Sequence, residues 1–189
     1  MKNLAYLKDH LIQTYETHGR RVLIQSKFSG PMYDNWKRDF GELNIGDLTF
    51  RDDTTGENMC FTTMAYVGQI KQEAVYLHYY FYLHKSILGD FATCYGIIRS
   101  QAQFPEGNIR LPRVVISSPI GPFADLFEPL WQKVKTVYPN CMYVSYDRLK
   151  AKVSAIDLPD NEVYDLLFGY EGKLSHHHGG DAFFSPDRQ

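Results

Sequence analysis

Cys60 and Cys94 flank a segment that carries His78. A thiol beside an imidazole is the pairing that a cysteine nucleophile needs, because the imidazole takes the thiol proton. Cys60 or Cys94 with His78 is the best enzymatic constellation in the chain. It requires the thiol and the histidine on one sheet face, and a buried cysteine is more commonly inert. No phosphate signature accompanies it. Ser117-Ser118-Pro119-Ile120-Gly121-Pro122 leads toward a helix, yet its two prolines remove two of the N–H groups that a phosphate cradle uses, and no Gly-Lys-Ser is present.

Metal chemistry has two candidates. His78 and His84 share one face of an extended segment, but six residues at ~3.3 Å each set them roughly 20 Å apart, too far to share an ion. His176-His177-His178 with Asp181 is the densest ligand-type cluster, in a Gly-rich stretch without the packed surroundings that hold metal ligands. No resident metal or cofactor is therefore expected. Asp52-Asp53 and Glu57 gather carboxylates in one turn, a composition that suits acid/base work or calcium. Their spacing departs from a twelve-residue calcium loop, and turns favour Asp for backbone reasons alone.

The segment that must position these groups is 75–84, V-Y-L-H-Y-Y-F-Y-L-H. Side chains alternate across a strand, so Val75, Leu77, Tyr79, Phe81 and Leu83 form an apolar face and Tyr76, His78, Tyr80, Tyr82 and His84 a Tyr/His face. The apolar face is expected in the core. The Tyr/His face is left for water, a second element or a partner.

Around this strand the pattern predicts an α+β domain with a mainly antiparallel sheet of six to seven strands. An amphipathic helix at 4–16 carries Leu4, Leu7, Leu11, Ile12 and Tyr15. Strands are expected at 21–28, 43–51, 58–67, 74–84 and 91–99, the last four as a meander, with turns at 52–57, 68–73 and 85–90. The stretch 32–41 reads as a helical turn or an irregular crossing, and 101–112 as a long polar loop. A strand at 113–118, a helix near 125–138 and a strand at 141–146 have the size of a βαβ unit. Asp125 and Glu128 resemble a capping box, while Pro129 blurs the helix start. Arg148, Lys150 and Lys152 would share a strand face as a small basic patch. A last helix near 161–168 is capped by Asp160 or Asn161 and stopped by Gly169. Both long helices are expected on one face of the sheet. Residues 1–171 read as the single domain and 172–189 as a flexible tail.

The chain has 189 residues, a formal net charge of −2 and 14 tyrosines. That balance argues against a broadly basic nucleic-acid surface. Three scattered cysteines give no disulfide framework, and neither a signal region nor a membrane span is visible, so a soluble, cytoplasmic protein is expected.

The leading functional expectation is a non-enzymatic protein-binding domain. The partner would be met through the strand face of Tyr76, His78, Tyr80, Tyr82 and His84, through the loop 101–112, or through acidic turns such as the one with Asp52, Asp53 and Glu57. In general character the chain is similar to bacterial immunity proteins that neutralise toxins. That resemblance implies occlusion, with carboxylates and aromatic anchors covering a toxin's active site. The alternative is an enzyme or small-molecule binder with a pocket between sheet and helix, lined by His78, His84, Tyr80 and Cys94. Single-stranded nucleic acid on Tyr76, Tyr80 and Tyr82 ranks third, because only Lys85 and Arg99 lie near that stretch.

Overall fold

A computed structural model describes residues 4–105, 107–156, 162–169, 174 and 177–188. The helices are α1 (Leu4–Thr17), α2 (Arg20–Ser26), α3 (Pro31–Phe40), α4 (Phe127–Val137), α5 (Tyr146–Leu149) and α6 (Val163–Leu167). The strands are β1 (Glu42–Ile45), β2 (Leu48–Asp52), β3 (Cys60–Gln72), β4 (Val75–Ser86), β5 (Phe91–Phe104), β6 (Gly107–Arg110), β7 (Val114–Ile116), β8 (Met142–Tyr143) and β9 (His177–Gly179). They make one mixed, mainly antiparallel sheet, ordered β1-β2-β3-β4-β5-β7-β9, with β6 and β8 also on β5. The domain is α+β as the pattern predicts.

The strand count exceeds the expectation for three reasons. The segment 43–51 folds back on itself as the β1–β2 hairpin, part of the supposed loop 101–112 is the β5–β6 hairpin, and β9 comes from the supposed tail.

β5 is the hub. One edge pairs with β4 along almost its whole length. The other edge is shared end to end by β8 at Phe91 and Ala92, β7 at Gly96 to Ile98, and β6 at Gln101 to Phe104. β7 runs antiparallel to β5 and β8 parallel to it, so the strand–helix–strand segment is not a pair of parallel neighbours.

The sheet is the middle layer of the molecule. α1 lays Leu7 and Leu11 on one face, where they join Tyr82, Tyr95, Leu166 and Phe168. α3 and α4 bring Trp36, Phe40, Leu130 and Trp131 to the other face, where they join Phe50, Phe81 and Leu83. The two long helices therefore cover opposite faces rather than one. This follows from β4, whose Tyr/His side is also apolar enough to bury at its C-terminal end. Phe81 and Leu83 are buried as expected, and Tyr82 and His84 are buried as well. Val75 and Leu77 are only half-buried, because they lie beyond the helices.

Segment 21–28 is a helix, not a strand. Its alternating apolar residues Val22 and Phe28 point outward, 57% and 46% exposed. The inward stripe is Leu23 and Ile24, both half-buried, and the buried Lys27, at helical spacing. A lysine in the buried position disguises that stripe. Its Nζ donates to the carbonyls of Asn58 at 2.9 Å and Cys60 at 3.4 Å, and to that of Thr55, so it satisfies the irregular turn that leads into β3.

α4 starts at Phe127, which puts Pro129 in the first turn, where a missing N–H costs little. Its N-cap is Leu126 with no side-chain cap, so the Asp125–Glu128 box does not form. α6 ends as expected, with Gly169 at φ 57°. The proposed caps Asp160 and Asn161 lie outside the described residues.

Of the segment read as a tail, residues 177–188 are packed. β9 pairs with β7 in parallel. Phe184 meets the rings of Phe127 and Tyr143 at 5.4 and 6.0 Å, and Trp131 Nε1 donates to Asp187 Oδ1 at 3.0 Å. Composition points to mobility, whereas Phe184 gives the segment an apolar side chain to pack against the core.

β3 and β4 contain a bulge between Tyr66 and Gly68. Gly68, at φ 152°, takes a conformation that other residues rarely adopt. The expected turn at 68–73 is instead strand up to Gln72, with the reversal at Glu73 and Ala74.

Candidate binding face

The strands β3, β4 and β5 are 12 to 14 residues long and run past the helices. Their outer halves, with β6, form a blade with little cover: Gln69 to Gln72 and all of β6 are exposed. Register fixes which side chains share the blade's Tyr/His face, since residues directly opposite each other point the same way. One row is Lys71, Tyr76, Gln101 and Arg110, the next is Gln69, His78 and Arg99, and the third is Tyr66, Tyr80 and Ile97. None of these ten residues is acidic.

The rings on this face touch one another. Tyr66 and Tyr80 lie 5.4 Å apart between centroids, Tyr66 and His78 6.3 Å, and Tyr76 and His78 6.4 Å and nearly parallel. Cations sit over two of them, with Lys71 Nζ 5.1 Å from the Tyr76 ring and the Arg99 guanidinium 4.8 Å from the Tyr80 ring. Arg99 Nη2 also donates to the Tyr82 hydroxyl at 3.0 Å. Beside this face, where β6 stops and β7 begins, the chain at Leu111 to Arg113 leaves the ladder and walls a cleft of about 700 Å³. His78, Tyr80, Arg99, Gln101, Arg110 and Arg113 are among its lining.

Of the predicted face, then, Tyr76, His78 and Tyr80 stand together at the surface, while Tyr82 and His84 do not. Alternation tells which side a residue takes but not how far along the strand the cover reaches. Tyr66, Lys71 and Arg113 were missed, since they arrive from neighbouring strands, and Arg110 came only as part of the loop 101–112. The signal that finds them is register, which depends on locating the turn at Glu73-Ala74 and the bulge.

His84 belongs to an interior polar chain, and the Tyr82 ring stacks beside it at 5.9 Å. His84 Nδ1 is 2.9 Å from Thr62 Oγ1 and its Nε2 is 2.7 Å from the Tyr95 hydroxyl, which is 3.0 Å from the Tyr164 hydroxyl. Cys60 Sγ lies 3.8 Å from His84 Nδ1. A cysteine–histidine pair therefore exists, but with His84 rather than His78. Both residues are fully buried, and no substrate can reach them without opening the core. Burial raises the Cys60 thiol to about 12 and lowers His84 to about 3, so both remain neutral and neither is primed for nucleophilic attack. Cys94 pairs with Leu83 and faces the opposite core, away from every histidine of β4. The expected pocket with His78, His84, Tyr80 and Cys94 therefore does not assemble.

The acidic turn stands apart from this aromatic face. Asp52 pairs with Thr63, whereas His78 pairs with Gln69, six residues further along β3 and roughly 20 Å away at ~3.3 Å per residue. Asp52 is a structural acceptor: Tyr33 donates to it at 2.7 Å, Trp36 Nε1 at 3.2 Å and Thr54 Oγ1 at 2.6 Å. Burial, and then the Asp52 carboxylate, raise Tyr33 to about 12. Asp53 is half-buried in the same turn, and Glu57 is exposed.

Other sequence candidates resolve into packing. His178 Nε2 lies 2.6 Å from Ser117 Oγ, and that hydroxyl also contacts the Asp181 carbonyl at 3.1 Å, so the pair joins β9 to β7. Asp181 N donates to Ser118 Oγ at 2.8 Å, which occupies the stretch considered for anions. His176 lies outside the described residues, and among the described residues no group of three ligand-type side chains could hold a metal ion. Arg148 lies in α5 and Lys150 pairs with Glu162 at 3.0 Å, so the basic strand patch does not form. Lys85 is buried and donates to the Gly89 carbonyl at 2.6 Å.

Among the described residues no helix is long and apolar enough to cross a membrane. No family model, no curated protein and no solved structure matches this chain.

Proposed function

We propose that this chain is a non-enzymatic binding protein that docks a protein partner on the open Tyr/His face of the blade. The observation that carries the reading is the contiguous row of Tyr66, Tyr76, His78 and Tyr80 left at the surface by strands that outrun their helices. Tyrosine gives large contact area at low entropic cost, and surface aromatics gathered in one patch mark interfaces. The cations Lys71, Arg99 and Arg110 around the rings favour a partner that presents carboxylates.

An immunity-type role, in which the blade covers a toxin's active site, is the specific form of this reading. The chemistry differs from the one implied by the sequence, because the inhibitor's face is basic and aromatic rather than acidic. A cytoplasmic location suits three cysteines that are all free and buried.

The test is affinity capture from native lysate with the full chain and with Tyr66→Ala/Tyr76→Ala. One stoichiometric protein retained by the wild type and lost by the double variant, at equal melting temperature, supports the reading. Equal retention by both places the interface elsewhere.

A further inference from the structure

We propose that the cleft between the blade face and the Leu111–Arg113 wall binds a small ligand through a phosphate group. The cleft is built by the fold. β6 and β7 use successive parts of one β5 edge, and the chain between them bows out, tied back by Leu111 N to the Ser100 carbonyl at 2.9 Å. A gap therefore opens directly beside Arg99.

Arg99 is pre-positioned. Its guanidinium stacks 4.8 Å from the Tyr80 ring centroid, and Nη2 is anchored on the Tyr82 hydroxyl at 3.0 Å. An arginine held in this way loses little rotamer freedom when an anion arrives. Arg110 is exposed on β6, and Arg113 closes the wall from the start of β7. The Gln101 carboxamide stands beside Arg110 in the register. Arg99 on β5, Arg110 on β6 and Arg113 on the wall all line the cleft, and three cations suit a multiply charged phosphate better than a carboxylate, which one guanidinium fork satisfies. Among the described residues no carboxylate lines the cleft.

The volume of about 700 Å³ is larger than a bare phosphate needs and lies in the range of small organic ligands. The rings of His78 and Tyr80 supply a floor for the rest of the molecule. This site does not depend on a protein partner, although a ligand there would sit beside the docking face.

The experiment is titration calorimetry of the full chain at fixed ionic strength with three probes: inorganic phosphate, phenyl phosphate and benzoate. Saturable one-to-one binding of phosphate is expected, tighter for phenyl phosphate, weak or absent for benzoate, and competed by sulfate but not by chloride. Arg110→Gln, at an exposed edge, should weaken both phosphates about tenfold or more without moving the melting temperature. Arg99→Lys keeps the charge but loses the fork, and should weaken them likewise. No saturable binding up to about 10 mM, equal binding of benzoate, or unchanged affinity in Arg110→Gln would each overturn the proposal.

Discussion

His84 Nε2 lies 2.7 Å from the Tyr95 hydroxyl inside the core, and burial lowers the histidine to about 3. Unfolded, the same imidazole titrates near 6.5. Between those values the unfolded chain binds a proton that the folded one refuses, so stability falls as pH drops through this window. The steepest contribution is about 1.4 kcal/mol per pH unit. Urea denaturation between pH 4 and pH 7 should show this slope, and His84→Gln should remove it. An unchanged slope in the variant would assign the acid sensitivity to other groups.

Cys60 is expected to be unreactive in the native state. With the thiol at about 12, roughly one molecule in 10⁵ carries a thiolate at pH 7. A thiol reagent should label Cys60 only at the rate of unfolding, and labelling should reach completion in denaturant. Rapid native labelling would mean that the Cys60–His84 pair is accessible and would reopen the enzymatic reading.

Asp52→Ala should destabilise the fold by about 2 kcal/mol, because three side-chain donors lose a charged acceptor. Partner capture should survive it. The converse result, loss of capture at unchanged stability, would restore Asp52 to the binding surface.

Lys27→Met should also cost about 2 kcal/mol, since it leaves the inward carbonyls of Asn58 and Cys60 without their donor. Chemical denaturation measures this directly. A change below about 0.5 kcal/mol would show that water replaces the ammonium.

The central strand was legible because its alternation is strict over ten residues, and the meander around it followed from turn chemistry. What stayed hidden had physical causes that a single segment does not display. Lys27 occupies a buried helical position, so α2 presents the period of a strand. Residues 177–188 are polar on average, yet Phe184 reaches a core built from α4 and β8. At the face, Tyr76, His78 and Tyr80 were legible together. Tyr82 and His84 were not separable from them, because the reach of α1 and α6 over β4 is set by tertiary packing. Lys71 joined the face only through register, and Arg110, one residue of the loop 101–112, was singled out only by its pairing with Gln101.

The bulge at Val67 has a consequence for how this chain tolerates changes in length. Tyr66 pairs with Tyr80 and Gly68 with Tyr79, so Val67 is a spare residue in the ladder. Deleting it would leave every downstream pair, from Gln69 with His78 to Gln72 with Val75, facing the same way. A deletion at Thr63, in the regular part of β3, has no such reserve. It would turn Met64, Ala65 and Tyr66 to the opposite faces or, if the shift carries past Gly68, put Ile70 and Gln72 on the aromatic face in place of Gln69 and Lys71. In-frame length variation in this strand should therefore survive at position 67 and be selected against elsewhere.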